Sequence, residues 1–398
     1  MIKIVKDLCR IEYGASPKQI RSDDNTGICI YGTGGFVGYS KEPLFKEPLI
    51  VVARKGTLDK PLLADLPCWV IDTAYAAIPK NDVDVKWLYY QFQMFDLSRL
   101  NESTGVPSIS RSYLYKQPIP YQAQPEQRKI ATILSTVDKV IENTEAAIEK
   151  YKAIKAGMMK DLFNRGIDVK TGKLRPSFQE AHELYKETEL GWIPKDWEVC
   201  AIKEACLEFI NGGTPSTKNT TNWIGTIPWI TGADFLDTFE VGIIRRHINE
   251  EALRCSSSHL IKMGNILLVT RTGVGKLAIA PFDVAISQDI TGIILDSSKY
   301  EVGFFYYYLQ ILVDDFKKMN QGTSINGIIR SDLEAKMIAR PSVNEQRQIM
   351  KILKTLDTTL RSESNDLYKY QDLKKGLMSD LLTGKVRVKT NEDKRENE

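Results

Sequence analysis

Residues that often carry catalysis or metal binding are scarce in this 398-residue sequence. The three histidines, His182, His247 and His259, stand at no metal-ligand spacing, and the six cysteines (Cys9, Cys29, Cys68, Cys200, Cys206, Cys255) form no C-x-x-C pair. That pattern speaks against zinc and against a disulfide framework, and leaves the thiols as reduced packing groups. No apolar run approaches the roughly 18 residues of a membrane span, and the opening MIKIVK has no signal-peptide core, so a cytoplasmic chain with no membrane partner is expected. Charge of one sign is scarce too: the net charge is +3, and charge alone gives no argument for nucleic acid. What is present is ordinary globular usage, 42% apolar and 26% charged, at a length that suits two or three domains.

Signatures of chemistry are missing as well. The stretch ICIYGTGGFVGYSKEP (28–43) places Gly32 and Gly34 as a dinucleotide loop would, but Val37 occupies the third position and Gly38 comes one residue late. Pro43 and Pro48 then leave no room for the helix whose N-terminus would hold a pyrophosphate, so a glycine-rich turn between two strands is expected. TGVGKL (272–277) lacks two parts of a P-loop, with Thr270 where the first glycine belongs and Leu277 where the hydroxyl residue belongs. DLEAK (332–336) contains an E-x-K, yet it overlies YLYKQ (113–117), which has no acids. No Asn/Asp-Pro-Pro-aromatic stretch is present to hold a flipped adenine. No cofactor or metal is expected, and an enzyme reading, as methyltransferase or nuclease, has no motif behind it.

The strongest signal is an internal repeat. EQRKIATILSTVD (126–138) lies without gaps over EQRQIMKILKTLD (345–357), an offset of 219 that also pairs Tyr151 with Tyr370, Lys155 with Lys374, Gly157 with Gly376 and Asp161-Leu162 with Asp380-Leu381. Upstream, ISRSYL (109–114) faces IIRSDL (328–333) at the same offset. In the first copy Ile130, Leu134, Val137, Ile141, Thr144, Ile148, Tyr151, Met158 and Leu162 follow heptad steps; in the second Ile349, Leu353, Leu356, Leu360, Leu367, Tyr370, Leu377 and Leu381 keep the same frame. Sustained a/d spacing predicts two long coiled-coil helices, each a rod of about 55 Å. Pro125 with Glu126, and Asn344 with Glu345, mark the starts, and Gly166 and Gly384 the stops.

Ahead of each helix the character changes. Runs such as PLIVVARKG, PCWVIDTAYAAI, NILLVTRTG and GKLAIAPFDVAI read as strands, and 85–100 and 301–319 as helices. The expected fold is α+β: two mixed heads at 1–124 and 191–342, long helices at 125–165 and 343–384 pairing antiparallel with pseudo-twofold symmetry, a linker at 166–190 with one short helix, and a charged tail at 385–398 expected to be disordered. Outside the repeat the heads share little sequence.

These residues together resemble the specificity subunit of type I restriction-modification systems. The resemblance is carried by IYGTGGFVGY with LIVVARKGT, by ELGWIPKDWEV (189–199) with NGGTPS (211–216) and IPWITGADF (227–235), and by the twice-used EQR..I...L...D. The first head has no counterpart of Trp192 through Trp197, which predicts a shortened opening strand. The resemblance implies a non-catalytic reader in which two target-recognition domains each read half of a split duplex target. It implies that modification subunits, two in number, methylate adenine while docked along the helices, and that restriction subunits join them. A coiled-coil scaffold joining two proteins without DNA is the alternative. Expected DNA contacts are strand-flanking residues: Lys41, Arg54, Lys55 and Ser108, with Tyr31 and Tyr39, in the first head, and Thr214, Ser216, Lys218, Asn219, Arg271, Lys276, Gln288 and Ser324 in the second. The seam residues named above are the expected partner-binding set.

Overall fold

In the computed structural model, residues 1–22, 26–56, 58–65, 67–236, 240–319 and 327–389 are described. The chain forms two units: residues 1–148 with 362–398, and residues 149–361. No helix among the described residues is long and apolar enough to cross a membrane.

The first unit runs β1 (Ile2–Ile4), α1 (Val5–Leu8), β2 (Cys9–Tyr13), β3 (Ile28–Gly32), β4 (Gly35–Ser40), β5 (Leu49–Ala53), β6 (Leu62–Ala64), β7 (Trp69–Val70), β8 (Ala74–Pro79), α2 (Val85–Met94), α3 (Arg111–Tyr115), β9 (Pro118–Pro120) and the start of α4 (Gln124–Asn164). Strands β2-β8-β5-β6 form one sheet, β4-β3-β7 a second, and β1 pairs with β9. The glycine-rich stretch is a tight hairpin turn, with Gly32 opposite Gly35, joining β3 to β4.

The second unit begins in the last turns of α4 and crosses two hairpins, β10 (Ile167–Asp168) with β11 (Lys173–Leu174) and β12 (Tyr185–Thr188) with β13 (Gly191–Pro194). It continues as β14 (Glu198–Ala201), α5 (Ile202–Ala205), β15 (Cys206–Asn211), β16 (Ile227–Ile230), β17 (Arg246–Ile248), α6 (Glu250–Arg254), β18 (His259–Ile261), β19 (Ile266–Val269), β20 (Leu277–Ile279), β21 (Val284–Ile286), β22 (Ile290–Leu295), α7 (Val302–Met319), α8 (Arg330–Ala335), β23 (Met337–Arg340) and α9 (Val343–Leu382). Its sheets run β15-β22-β19-β20 and β17-β16-β21-β18, and β14 pairs with β23. The order of the first unit recurs, with α6 and β18 added between β17 and β19, so that the second sheet has four strands against three. The heads therefore share a topology that their sequences conceal. The opening strand of the first head, β1, has three residues, and its counterpart β14 has four.

Both long helices run as expected, over 41 and 40 residues. They lie antiparallel: Asp138 of α4 meets Lys374 of α9 at 2.7 Å in the first unit, and Lys155 of α4 meets Asp357 of α9 at 2.6 Å in the second. Each stops at its glycine, Gly166 at φ +62° and Gly384 at φ +76°, because a left-handed residue there lets the chain turn back on the last carbonyls. Ile130, Leu134, Ile349 and Leu353 are wholly or almost wholly buried in the head cores. They are internal packing residues and offer no open surface to a partner, which corrects that part of the expected docking set. Farther along, Thr144 and Ile148 are buried, while Val137, Ile141, Tyr151, Leu356, Leu360, Leu367 and Tyr370 are half-buried, as the flanks of a two-helix seam must be.

The repeated Glu-Gln pair has a structural task. Gln127 and Gln346 are fully buried, and each accepts from the backbone N–H just ahead of the head helix, Asp84 for α2 and Glu301 for α7, both at 2.9 Å. Their amide nitrogens donate to the carbonyls of Gln122 and Pro341, so no polar atom of either side chain is stranded. Glu345 accepts from Arg175, Trp197 Nε1 and the Ile167 N–H, which fastens residues 165–197 to the start of α9. The segment expected as a plain linker is thus anchored by a carboxylate with 1% exposure. Of the expected tail, Val388 packs against the first core, and residues 390–398 lie outside the described residues.

Burial separates two neighbouring leucines of the seam. Leu353→Ala, at a fully buried site, should cost about 2–5 kcal/mol, and Leu356→Ala, half-buried, less than half of that. Chemical denaturation of the two variants measures the difference.

Candidate nucleic-acid interface

The same strand ends gather at one edge of each head. In the first unit the ends of β2, β3, β5 and β7 meet the segment that leads into α3. Arg54 and Lys55 both donate their N–H to Thr73 O at 3.0 Å, Ile109 N donates to Arg54 O, Gly56 N to Pro107 O, and Lys55 bridges Ser108. Ala15 N donates to Val70 O, and a Cβ on Gly14 would stand 2.0 Å from Ile71 O, so only glycine lets β2 leave the sheet so close to its neighbour. On this edge the half-exposed Tyr13 ring lies between two guanidinium groups, Arg54 at 5.2 Å and Arg111 at 5.0 Å. Each cation also donates from one nitrogen to a carbonyl, Arg54 to Asp72 O at 3.1 Å and Arg111 to Ile11 O at 3.4 Å.

The second unit repeats the frame with other side chains. Gly213 N donates to Ile286 O, Ser287 N to Ile230 O, Thr270 N to Asp289 O and Ile328 N to Thr270 O. A Cβ on Gly212 would stand 2.3 Å from Ile286 O, the same close approach as at Gly14. The edge carries Thr214, which bonds Gln288, and Arg271, which is exposed. Behind it sits a charged cluster. Asp234 accepts from Thr231 N–H and Oγ1 and from Arg245 Nε at 2.8–2.9 Å, and Arg246 lies 4.6 Å over the Trp229 ring. Burial pushes the Asp234 carboxyl up, but the Thr231 and Arg245 bonds outweigh it and hold the group below its ordinary range.

The structure brings some of the expected contacts together and separates others. Arg54, Lys55 and Ser108 share one edge, as do Thr214, Arg271 and Gln288. Lys276 lies nearby, but its Nζ donates to Phe235 O. Asn219 caps the short 3-10 turn Thr220–Trp223, and Ser216 O accepts from Asn222 and Trp223, so this loop is tied into its own fold, with Lys218 exposed beside it. Tyr39 and Lys41 lie at the far end of the β3–β4 hairpin, since Tyr39 pairs with Cys29 at the start of β3. Tyr31 packs on the cluster around Phe45 and Val70, where burial raises its phenol. Ser324 lies outside the described residues. Sequence reasoning missed Tyr13, Arg111, Trp229, Asp234, Arg245 and Arg246. Of these, Arg111 was visible in the ISRSYL repeat and Arg245-Arg246 as a basic pair, whereas their partners are known only from the fold.

A family model described as the type I restriction modification DNA specificity domain matches residues 1–152 and 194–369, well over half of the chain. The chain belongs to this family. Among its curated relatives, the putative type I restriction enzyme MjaX specificity subunit of Methanocaldococcus jannaschii is 29% identical over 318 residues, covering 78% of this chain and 70% of that one. The MjaVIII specificity subunit of the same organism is 28% identical over 332 residues, covering 78% of this chain and 72% of the relative. The Escherichia coli EcoR124I/EcoR124II specificity subunit is 26% identical over 294 residues, covering 72% and 67%. Among solved structures, the type I restriction-modification S subunit of M. genitalium superposes with a TM-score of 0.66 at 17% identity over 96% of both chains, which shows the shared fold. A chain from a study of complex assembly and conformational transition of the type I system gives 0.54 at 16% identity, over 97% of this chain and 98% of that one. As a specificity subunit, this chain is of a kind that recognises DNA.

Because Asp234 is held below its ordinary value of 3.8, its ion pairs stabilise the folded edge at pH above that value, and the contribution is lost as pH falls through the lowered one. Hydrogen exchange at the Thr231 N–H should therefore speed up below about pH 4 beyond the intrinsic trend. In Asp234→Asn this acid-dependent step should be missing.

Proposed function

We propose that the chain is the non-catalytic DNA-recognition subunit of a cytoplasmic type I restriction-modification complex and reads a bipartite, asymmetric target. One head reads each half through its strand-end edge. Two modification subunits dock on the subunit and methylate adenine, and restriction subunits join that core. The observation that carries this reading is one frame with two contents: the heads share the order of their common strands, yet their edges present Tyr13, Arg54, Lys55 and Ser108 in one case and Thr214, Arg271 and Gln288 in the other. A duplicated frame with unlike edges suits a target whose halves differ.

The physics assigns different tasks to different groups. Arginine and lysine neutralise phosphates and release counterions, so affinity follows salt and is blind to sequence. Threonine, serine and glutamine discriminate base edges by their donors and acceptors. Adding one base pair between halves turns one against the other by roughly 34–36° and shifts it by about 3.4 Å, which a stiff reader cannot follow.

Mapping methylated adenines in the host genome should return two unlike half-sites at one spacing. On that duplex, binding by the full complex should weaken with salt, and one inserted base pair should cost at least about tenfold in affinity. Arg54→Ala should weaken binding to all sequences and lower the salt slope by about one, whereas Gln288→Ala should relax preference at one position of one half. Binding that ignores both salt and spacing would overturn the proposal.

A further inference from the structure

Two clamps of identical composition join each head to both long helices. In the first unit the Asp138 carboxylate of α4 accepts from Tyr90 OH of α2 at 2.6 Å and pairs with Lys374 Nζ of α9 at 2.7 Å. The same ammonium lies 5.5 Å from the centre of the Tyr90 ring. In the second unit Asp357 of α9 accepts from Tyr307 OH of α7 at 2.5 Å and pairs with Lys155 of α4 at 2.6 Å, with Lys155 lying 5.3 Å from the Tyr307 ring centre. Asp138 and Lys155 come from one copy of the repeat, Asp357 and Lys374 from the other, so each clamp is completed by crossing between copies.

These pairs differ from the other charges on the helices. Lys139–Glu142, Lys152–Glu149, Lys369–Asp366 and Lys375–Asp372 are exposed pairs within one helix, which form whatever the partner helix does. Among the described residues, Lys155–Asp357 and Lys374–Asp138 are the ion pairs that join α4 to α9. Each lysine side chain is 19% exposed, so an ammonium without its carboxylate would be left mostly out of water. The apolar seam cannot choose register by itself, because a heptad slip keeps aliphatic groups facing aliphatic groups. The same slip would put Leu367 or Leu381 opposite Asp138 in place of Lys374. Only one register satisfies both clamps.

We infer that Tyr90, Asp138 and Lys374, with Tyr307, Asp357 and Lys155, are positioning residues that key the helix register and the seat of each head, and so set the half-site spacing the protein accepts. The spacing role rests on the split-target reading; the register role does not.

The test uses the full chain in two measurements. In the first, melting is followed through the cycle Asp138→Asn, Lys374→Met and both together. The double variant should lose clearly less than the sum of the singles, and additive losses would overturn the clamp. In the second, binding is compared on the mapped target duplex and on the same duplex with one base pair added or removed. Asp138→Asn/Asp357→Asn should cut the preference for the correct spacing by about tenfold, with a smaller change on the correct duplex, while the exposed control Glu142→Gln leaves it intact. Should the aspartate variant not fold, Tyr90→Phe/Tyr307→Phe removes one hydrogen bond per clamp and should shift the same ratio in the same direction. An unchanged ratio in folded clamp variants would overturn the spacing role. A wild type indifferent to spacing would sink the split-target reading, and the melting cycle would then still decide whether the clamp keys the register.

Discussion

Gln127 and Gln346 each sit with no exposed surface and with both ends of the amide bonded, one end to the N–H that opens a head helix and the other to a carbonyl before the long helix. A buried amide tolerates no shift of either partner, because displacement by an ångström strands a donor and an acceptor out of water. Each head is therefore seated on its helix to hydrogen-bond accuracy at one end of the contact. The Tyr-Asp-Lys clamp does the same about three turns farther along, from residue 127 to residue 138 and from 346 to 357. Between these points the apolar face supplies stability without specifying position. The rest of the architecture inherits its geometry from these few polar contacts.

This division of labour explains what the sequence revealed and what it hid. The long helices were legible because a heptad frame, a gapless duplication and terminal glycines all depend on local spacing. Strands such as Leu49–Ala53 and Ile266–Val269 were legible as β-branched runs between turns. The common topology of the heads was not. A strand in a buried sheet needs apolar side chains of suitable volume, and Leu-Ile-Val-Val-Ala and Ile-Leu-Leu-Val meet that need without resembling each other. Among the identities that persist, Gln127, Asp138 and Lys155 and their copies are polar groups that the fold gives matching partners.

The edges were legible only in part, for a related reason. Arg54, Lys55 and Ser108 could be proposed from their places beside strands, but their convergence depends on a segment that returns 54 residues after Arg54 to lie against it, as Lys55 with Ser108 records. Asn219 looked like a polar loop residue available to a ligand, and the fold spends its oxygen on capping the next turn. Asp234 attracted no notice because a lone aspartate in a loop is ordinary; Arg245, eleven positions on, is what makes it the centre of a cluster. Such pairings are set by loop closure, for which local periodicity carries no signal.

A frame fixed by buried polar contacts leaves its exposed edge unusually free to vary. Substituting Thr214 or Gln288 disturbs neither the Gly213–Ile286 bond beneath them nor the close passage at Gly212, since both rely on backbone atoms. The same holds across the other head, where Tyr13 and Arg54 project from strand ends whose pairing is carried by main-chain groups. Within the proposed function, a new preference in one half-site then requires few side-chain changes and no change in the helices that hold the heads. The two heads of this chain already exemplify such divergence, with the register contacts intact and the edges unlike.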